Sequence, residues 1–370
     1  MSERALVTGW PRQLARAVAS ELLERGASVT LLVRPRHLSD ARTWARAKGE
    51  RAEVIEGDVA SIDLGLAGAE YLSLVGRVDV VHHAAYVTWE GPDEGAVADV
   101  NVTGTREVIE FARTAKERGR APRVVAWTSV LCSGDFRGTF REQDLELGQK
   151  FRSVVEATLF RAEGALRKAM ADVPVTVLRV GLLVGDSRTG EVDRLDGVYT
   201  ALRFFLQAPG DFTPPAFTGR HNTLNLVPVD WAARAGLHLA SRSESAGRTY
   251  HLVDPAPLPA ERVLAMLARR AGRSAPYGRL PSAVARLAMM APGVEKLAPG
   301  QRAFVYRLAT AVRYADQGAR EVLAPAGLDC PTFTSYVDAM VDHVRARVSS
   351  PPPPGAPETK DEPDEHDPFG

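Results

Sequence analysis

Cysteine is nearly absent: 370 residues carry two, Cys132 and Cys330. A distant pair supplies no metal or redox spacing and no disulfide framework, as expected of a chain in a reducing cytosol. Net charge is absent as well. Lys+Arg and Asp+Glu both number 46, so no global field points to nucleic acid or acidic lipid. No charged-then-apolar leader opens the chain and no uninterrupted apolar run approaches a membrane span, so a soluble cytoplasmic protein is the expectation. No internal repeat is visible. Glycine, with 31 copies, is scarce in one telling place, the opening turn.

What is present is ordinary globular material, 45% hydrophobic and 25% charged, enough for one large or two smaller cores. The opening run Ala5-Leu6-Val7 ends in Thr8-Gly9, turns, and enters a helical pattern. A strand, a tight turn and a helix make the usual start of a dinucleotide-binding βαβ unit. Only Gly9 stands where such a loop would carry three glycines; Arg12 and Ala15 take the later places. Arg12 brings a Cβ and a long side chain to a position where bare backbone usually approaches a pyrophosphate, though its cation could pair with the phosphates instead. Pro11 suits a helix's first turn.

Apolar strand-like runs at residues 5–7, 28–33, 52–55, 78–82, 124–128, 175–180 and 249–253 alternate with helical patterns at 13–24, 38–48, 64–75, 94–118, 152–171 and 229–241. That alternation predicts an α/β fold, a doubly wound parallel sheet covered on both faces. After Asp254 the pattern turns helical, at 259–271, 281–290, 300–314 and 333–348, with no clear strands between. The expected layout is a Rossmann-like domain over 1–254, a smaller helical lobe over 255–348 that draws in 195–228, and a disordered Pro-rich acidic tail over 349–370.

The candidate binding residues fall at predicted strand ends, where open α/β sheets bind ligands. The second strand ends in Arg34, with Arg36 two places on and no carboxylate nearby. An arginine there favours the 2′-phosphate of NADP over the free ribose hydroxyl of NAD. The alternative is a solvated arginine in an arginine-rich chain. Asp58-Val59 follows the third strand, His82-His83-Ala84-Ala85 the fourth, and Thr128-Ser129 the fifth. Adjacent histidines on a strand point to opposite faces, so His82 and His83 do not form a metal site. The Arg-rich stretch 262–273 reads as a solvated face, and Met289-Met290 as core or the wall of an apolar pocket.

Together these residues resemble an extended short-chain dehydrogenase/reductase, and within it the thioester-reductase and fatty-acyl-CoA-reductase-like group. The resemblance rests on Val7-Thr8-Gly9, Gly57-Asp58-Val59, His82 to Ala85, Asn101-Val102-Thr103-Gly104-Thr105, Thr128-Ser129 with Gly134, Arg179-Val180-Gly181 with Gly185 to Gly190, and Val227-Pro228-Val229-Asp230. The segment Cys330-Pro331-Thr332-Phe333 with Tyr336 extends it to roughly residues 4–345. It implies a nicotinamide dinucleotide, NADP rather than NAD, held by Thr8, Gly9, Arg12, Leu14, Arg34, Asp58, Val59, Ala84, Ala85, Gly181 and Leu183. It further implies an apolar small-molecule substrate and a homodimer as candidate assembly.

The family's chemistry uses a Tyr as proton donor, a Lys four places on that lowers its pKa, a Ser and an Asn. Positions i and i+4 share a helix face, so Tyr and Lys point together. Ser129 and Asn101 match. Aligned on Thr158 and Ala162-Glu163, the Tyr and Lys places hold Val155 and Leu159. None of the eight tyrosines has a Lys four places later. Three readings follow: a member without proton-transfer chemistry that serves as sensor, scaffold or regulator; an NADP-dependent reductase of a thioester, aldehyde or ketone using another donor, Tyr86 or Tyr199; or an unrelated ligand in the cleft. For both tyrosines a packed aromatic is the plainer reading.

Overall fold

The computed structural model describes residues 2–89, 93–207, 222–275 and 311–349. Its centre is a seven-stranded, all-parallel sheet. The strands are β1 (Arg4–Thr8), β2 (Ser28–Val33), β3 (Ala52–Glu56), β4 (Val80–His83), β5 (Arg123–Ser129), β7 (Val175–Val180) and β10 (Thr249–Leu252), in the order β10-β7-β5-β4-β1-β2-β3. Two short pairs complete the strands: β6 (Gly138–Phe140) with β11 (Val312–Tyr314), and β8 (Leu182–Val184) with β9 (Leu226–Pro228). The expected doubly wound sheet is therefore the observed fold.

Helices α1 (Gln13–Glu24), α2 (Leu38–Lys48) and α8 (Val229–Ala240) belong to one side; α3 (Gly68–Arg77), α4 (Glu94–Ala98), α5 (Gly104–Glu117) and α6 (Val154–Ala169) belong to the other. Strand residues divide between the two layers by parity, as a pleat requires. Leu6, Val81, Val124 and Ala126 join one cluster, whereas Ala5, Val7, Val80, Val125 and Trp127 join the other. Helix α1 shows why the sequence folds this way. Val18, Ala19, Leu22 and Leu23 recur at helical spacing and are all buried.

A third cluster brings α7 (Val198–Gln207), α9 (Ala260–Arg270) and α11 (Phe333–Ser349) together around Tyr199, Leu202, Leu264, Tyr336 and Met340. Between α9 and α11 lies α10 (Gln317–Leu323), whose Ala319 and Leu323 pack in the cluster of α1 and α8.

Three local expectations are corrected. Residues 94–118 are not one α-helix: a wider π-helical turn at Asp99–Thr103 separates α4 from α5. The third helix begins at Gly68, because Asp63 and Leu64 have φ of 54° and 59°, which a helix excludes. The end of 300–314 is a strand: Val312 to Tyr314 register with Gly138 to Phe140. A three-residue strand has no periodicity of its own, and its partner lies far away in the chain. The expected helix at 281–290, Met289-Met290, most of 300–311 and the tail from 350 lie outside the described residues. Among the described residues, no helix is long and apolar enough to cross a membrane.

Candidate functional site

The strand order reverses between β1 and β4, which opens a crevice at their carboxyl ends. Register places Thr8 beside His83 there, and Thr8 Oγ1 lies 2.9 Å from His83 Nδ1. The next residue, Gly9, has φ of 102°, and a Cβ on it would lie 2.6 Å from the carbonyl oxygen of Ala84. Both facts demand glycine. The chain then enters α1 with Arg12 at its N-cap and Pro11 just before it. The one glycine that remains is thus the one the backbone cannot replace.

A cavity of about 150 Å³ lies in front of this turn. Of the residues expected to bind cofactor, Arg12, Leu14, Ala84, Gly181 and Leu183 line it, and Ser129 joins them from β5. Thr8, Val59 and Ala85 are buried and do not line it. Arg34 directly follows β2, and Asp58 follows β3, where its Oδ1 accepts from Ala60 N at 3.0 Å. The sequence patterns do not reveal Trp89 and Arg194. Arg12 stacks on the Trp89 ring at 3.7 Å from its centre, and Arg194 at 4.8 Å. Neither residue stands in a motif; only the fold brings them together.

Two buried donors support a ligand here. Trp89 Nε1, on a cavity residue, and Trp10 Nε1, in the turn itself, have no hydrogen-bond partner among the described residues. An orphaned buried donor costs on the order of 1–3 kcal/mol, which a bound polar group or water recovers. With the Gly9 turn and the Arg12 cation at a helix N-terminus, these donors fit a phosphate-bearing dinucleotide.

The other side of the crevice differs in chemistry. Asn101 is buried in the π-helical turn, and its amide is spent internally. It donates to Val87 O and Thr158 Oγ1, at 3.0 and 2.9 Å, and accepts from Val87 N at 2.7 Å. Asn101 therefore fastens the segment after β4 to α6. Ser129 Oγ makes long contacts of 3.4 Å to Val180 O and Leu131 N. Val155 and Leu159, one helical turn apart on α6, are 1% and 0% exposed within the apolar cluster of Tyr86 and Leu131.

Both candidate tyrosines line the cavity, and both are buried. Tyr86 Oη lies 3.0 Å from Thr105 Oγ1, and Tyr199, in α7, accepts from Gly185 N at 2.7 Å. Burial pushes both phenols above their usual range, opposite to the activation a general acid–base needs. His83 bridges the two sides. Thr105 Oγ1 lies 3.4 Å from its Nε2, and burial pushes its pKa down to about 3, so the ring is neutral at ordinary pH. His82 points the other way, accepting from Trp127 Nε1 at 3.3 Å. Among the described residues no cluster of three His, Cys, Asp or Glu could hold a metal.

This fold, with a phosphate-facing turn at its switch point, defines a class: the extended short-chain dehydrogenase/reductases of the thioester-reductase-like group. Residues 7–236 match an NAD-binding family described as male sterility protein, and the chain belongs to that family. Among curated relatives it is 28% identical over 227 residues to a glycine betaine reductase of Emericella nidulans, covering 60% of this chain and 17% of that protein. It is 24% identical over 288 residues to a carboxylic acid reductase of Mycobacterium marinum, covering 68% of this chain and 24% of that one. The chain therefore spans a minor part of both. A relative of comparable length is the 4-hydroxy-2-methyl-3-oxo-4-farnesyl-3,4-dihydroquinoline-1-oxide ketoreductase of Stigmatella aurantiaca, 27% identical over 336 residues, 88% of this chain and 92% of that one. Among solved structures, the terminal R domain from the myxalamid PKS-NRPS biosynthetic pathway superposes with a TM-score of 0.77 at 23% identity, covering 94% of this chain and 91% of that domain.

Proposed function

We propose that this protein binds NADP(H) in the crevice and has given up the family's proton relay, serving as a nucleotide-dependent sensor, scaffold or regulator. The observation that carries the reading is the pair Val155 and Leu159. These side chains cannot move a proton, and they are packed in an apolar core where a charged replacement would be desolvated. The two tyrosines on the cavity reinforce it, since each is buried, hydrogen-bonded and pushed away from acid–base activity. NADP is favoured over NAD because Arg34, rather than a carboxylate, directly follows β2.

A second reading has one specific observation behind it. The relative of comparable length is a ketoreductase, and the cavity here is lined by Tyr86, Trp89, Trp127 and Tyr199, a surface suited to a ring-bearing ketone. Hydride from the nicotinamide would then need a proton from a tyrosine or from water, with the Ser129 hydroxyl oriented at the carbonyl.

Titrating NADPH and NADH while following tryptophan fluorescence tests the first reading, because Trp10 and Trp89 flank the turn. NADPH is expected to bind more tightly, and a preference for NADH overturns the role of Arg34. Incubation with aldehydes, ketones and acyl thioesters is expected to leave NADPH unoxidised. Robust oxidation overturns the loss of chemistry and establishes the reductase.

A further inference from the structure

Residues 185–196 form a strap between two parts of the molecule that the sequence keeps far apart. Asp186 Oδ1 closes its turn by accepting from Arg188 N and Thr189 N, at 2.9 and 3.0 Å. Gly190, with φ of 71°, presses on α11 so closely that a Cβ would lie 2.0 Å from Ala339 O. Arg347 of α11 donates to the carbonyls of Val192 and Asp193, both at 3.2 Å. On the opposite side Gln13 Nε2 donates to Glu191 O at 2.6 Å, and Arg16 pairs with Asp193. Gln13 and Arg16 are three apart and share one face of α1's first turn.

The strap thus ties α11 to the helix whose N-terminus fronts the Gly9 turn. Its next residue, Arg194, reaches the Trp89 ring that Arg12 also covers, and Trp89 is left only 5% exposed. A helix N-terminus attracts anions, and here the Asp193 carboxylate is paired with the Arg16 guanidinium of that first turn.

We propose that the strap is a gate on the dinucleotide crevice, closed here by the Arg16–Asp193 and Gln13–Glu191 contacts and parted from α1 when a pyrophosphate enters. The proposal rests on the nucleotide-binding reading above. A ligand that enters only the open state binds as though diluted by the closed fraction, so loosening the latch speeds entry. The Arg16–Asp193 pair is partly exposed, with side chains 33% and 26% accessible, so the latch is light.

Arg16→Gln and Asp193→Asn test it in the full chain, by stopped-flow association of NADPH and by hydrogen exchange of the strap without nucleotide. The gate requires both variants to speed association, roughly two- to fivefold, and to raise exchange at residues 191–194. The double variant should match either single one. Plain electrostatics predicts opposite signs, because one variant removes a cation and the other an anion. Slower association in Arg16→Gln, or no change in either variant, overturns the gate while nucleotide binding stands. Failure of NADPH and NADH to bind any of the three proteins removes the nucleotide reading, and the gate with it.

Discussion

The two sides of the switch-point crevice are built from different materials. On the β1–α1 bank, function is carried by backbone: a positive-φ glycine, a close approach to Ala84 and a helix N-terminus, with arginines added. On the α6 side the corresponding positions, Val155 and Leu159, are apolar side chains packed in the core, away from the cavity lining. Backbone geometry survives because the fold itself depends on it; Gly9 cannot change without displacing β4. A side-chain relay has no such support from the fold, so its positions can hold core residues without disturbing the sheet.

The buried imidazoles of the sheet, with only His83 among them lying between the banks, are expected to give the largest effect together. His82, His83 and His251 are buried neutral, each pushed down to about 3 mainly by desolvation, with nearby arginines adding to it at His82 and His251. The unfolded chain binds more protons below about pH 6.5, so stability is full above that pH and falls as pH drops toward 3. At pH 5 the loss is roughly 2 kcal/mol for each imidazole. Thermal unfolding at pH 7 and pH 5 measures it, and equal melting temperatures would contradict the burial of these rings.

Next comes Gly9→Ala, which strikes the backbone-carried bank. Strain at positive φ and the clash with Ala84 O together should cost roughly 3 kcal/mol and abolish nucleotide binding. Denaturant unfolding with a nucleotide titration reads both, and wild-type behaviour in either would undo the contrast drawn above. Leu159→Ala, one residue of the other bank, should leave nucleotide affinity within a fewfold while costing roughly 2–5 kcal/mol of stability. If affinity collapses with it, the banks are not separable.

Arg34→Gln sharpens the binding side further. Loss of a cation facing a 2′-phosphate should weaken NADPH by about tenfold and leave NADH nearly unchanged. Equal weakening of both nucleotides would assign Arg34 to structure. The smallest effect is expected of Tyr86→Phe, which removes one hydroxyl contact with Thr105, about 1 kcal/mol of stability, with no effect on nucleotide affinity. A change in any residual NADPH oxidation would instead make Tyr86 a proton donor.

Much of the fold is legible in the sequence, and the reasons are local. Helices at 13–24 and 38–48 and strands at 28–33 and 175–180 coincide with the structure, because apolar period and flanking turns coincide there. The strand at 312–314 is not legible, since its only signal is a partner strand more than 170 residues away. The break at Asp99–Thr103 leaves no mark either, as Asn101 is called inward by Val87 and Thr158 rather than by any helix-breaking residue. The cavity residues at strand ends could be placed from topology alone. Trp89 and Arg194 could not, because stacking between residues on separate loops has no sequence spacing.

By itself the sequence determines the sheet, the glycine of the opening turn and the presence of Val155 and Leu159 in α6, because residue identity and periodicity act over a few neighbouring positions. Only the tertiary structure decides that Val155 and Leu159 are buried, that both cavity tyrosines are pushed away from acid–base use, and that the strap rests on α1. Burial, desolvation and stacking belong to the surroundings of a side chain, and those surroundings come from distant parts of the chain.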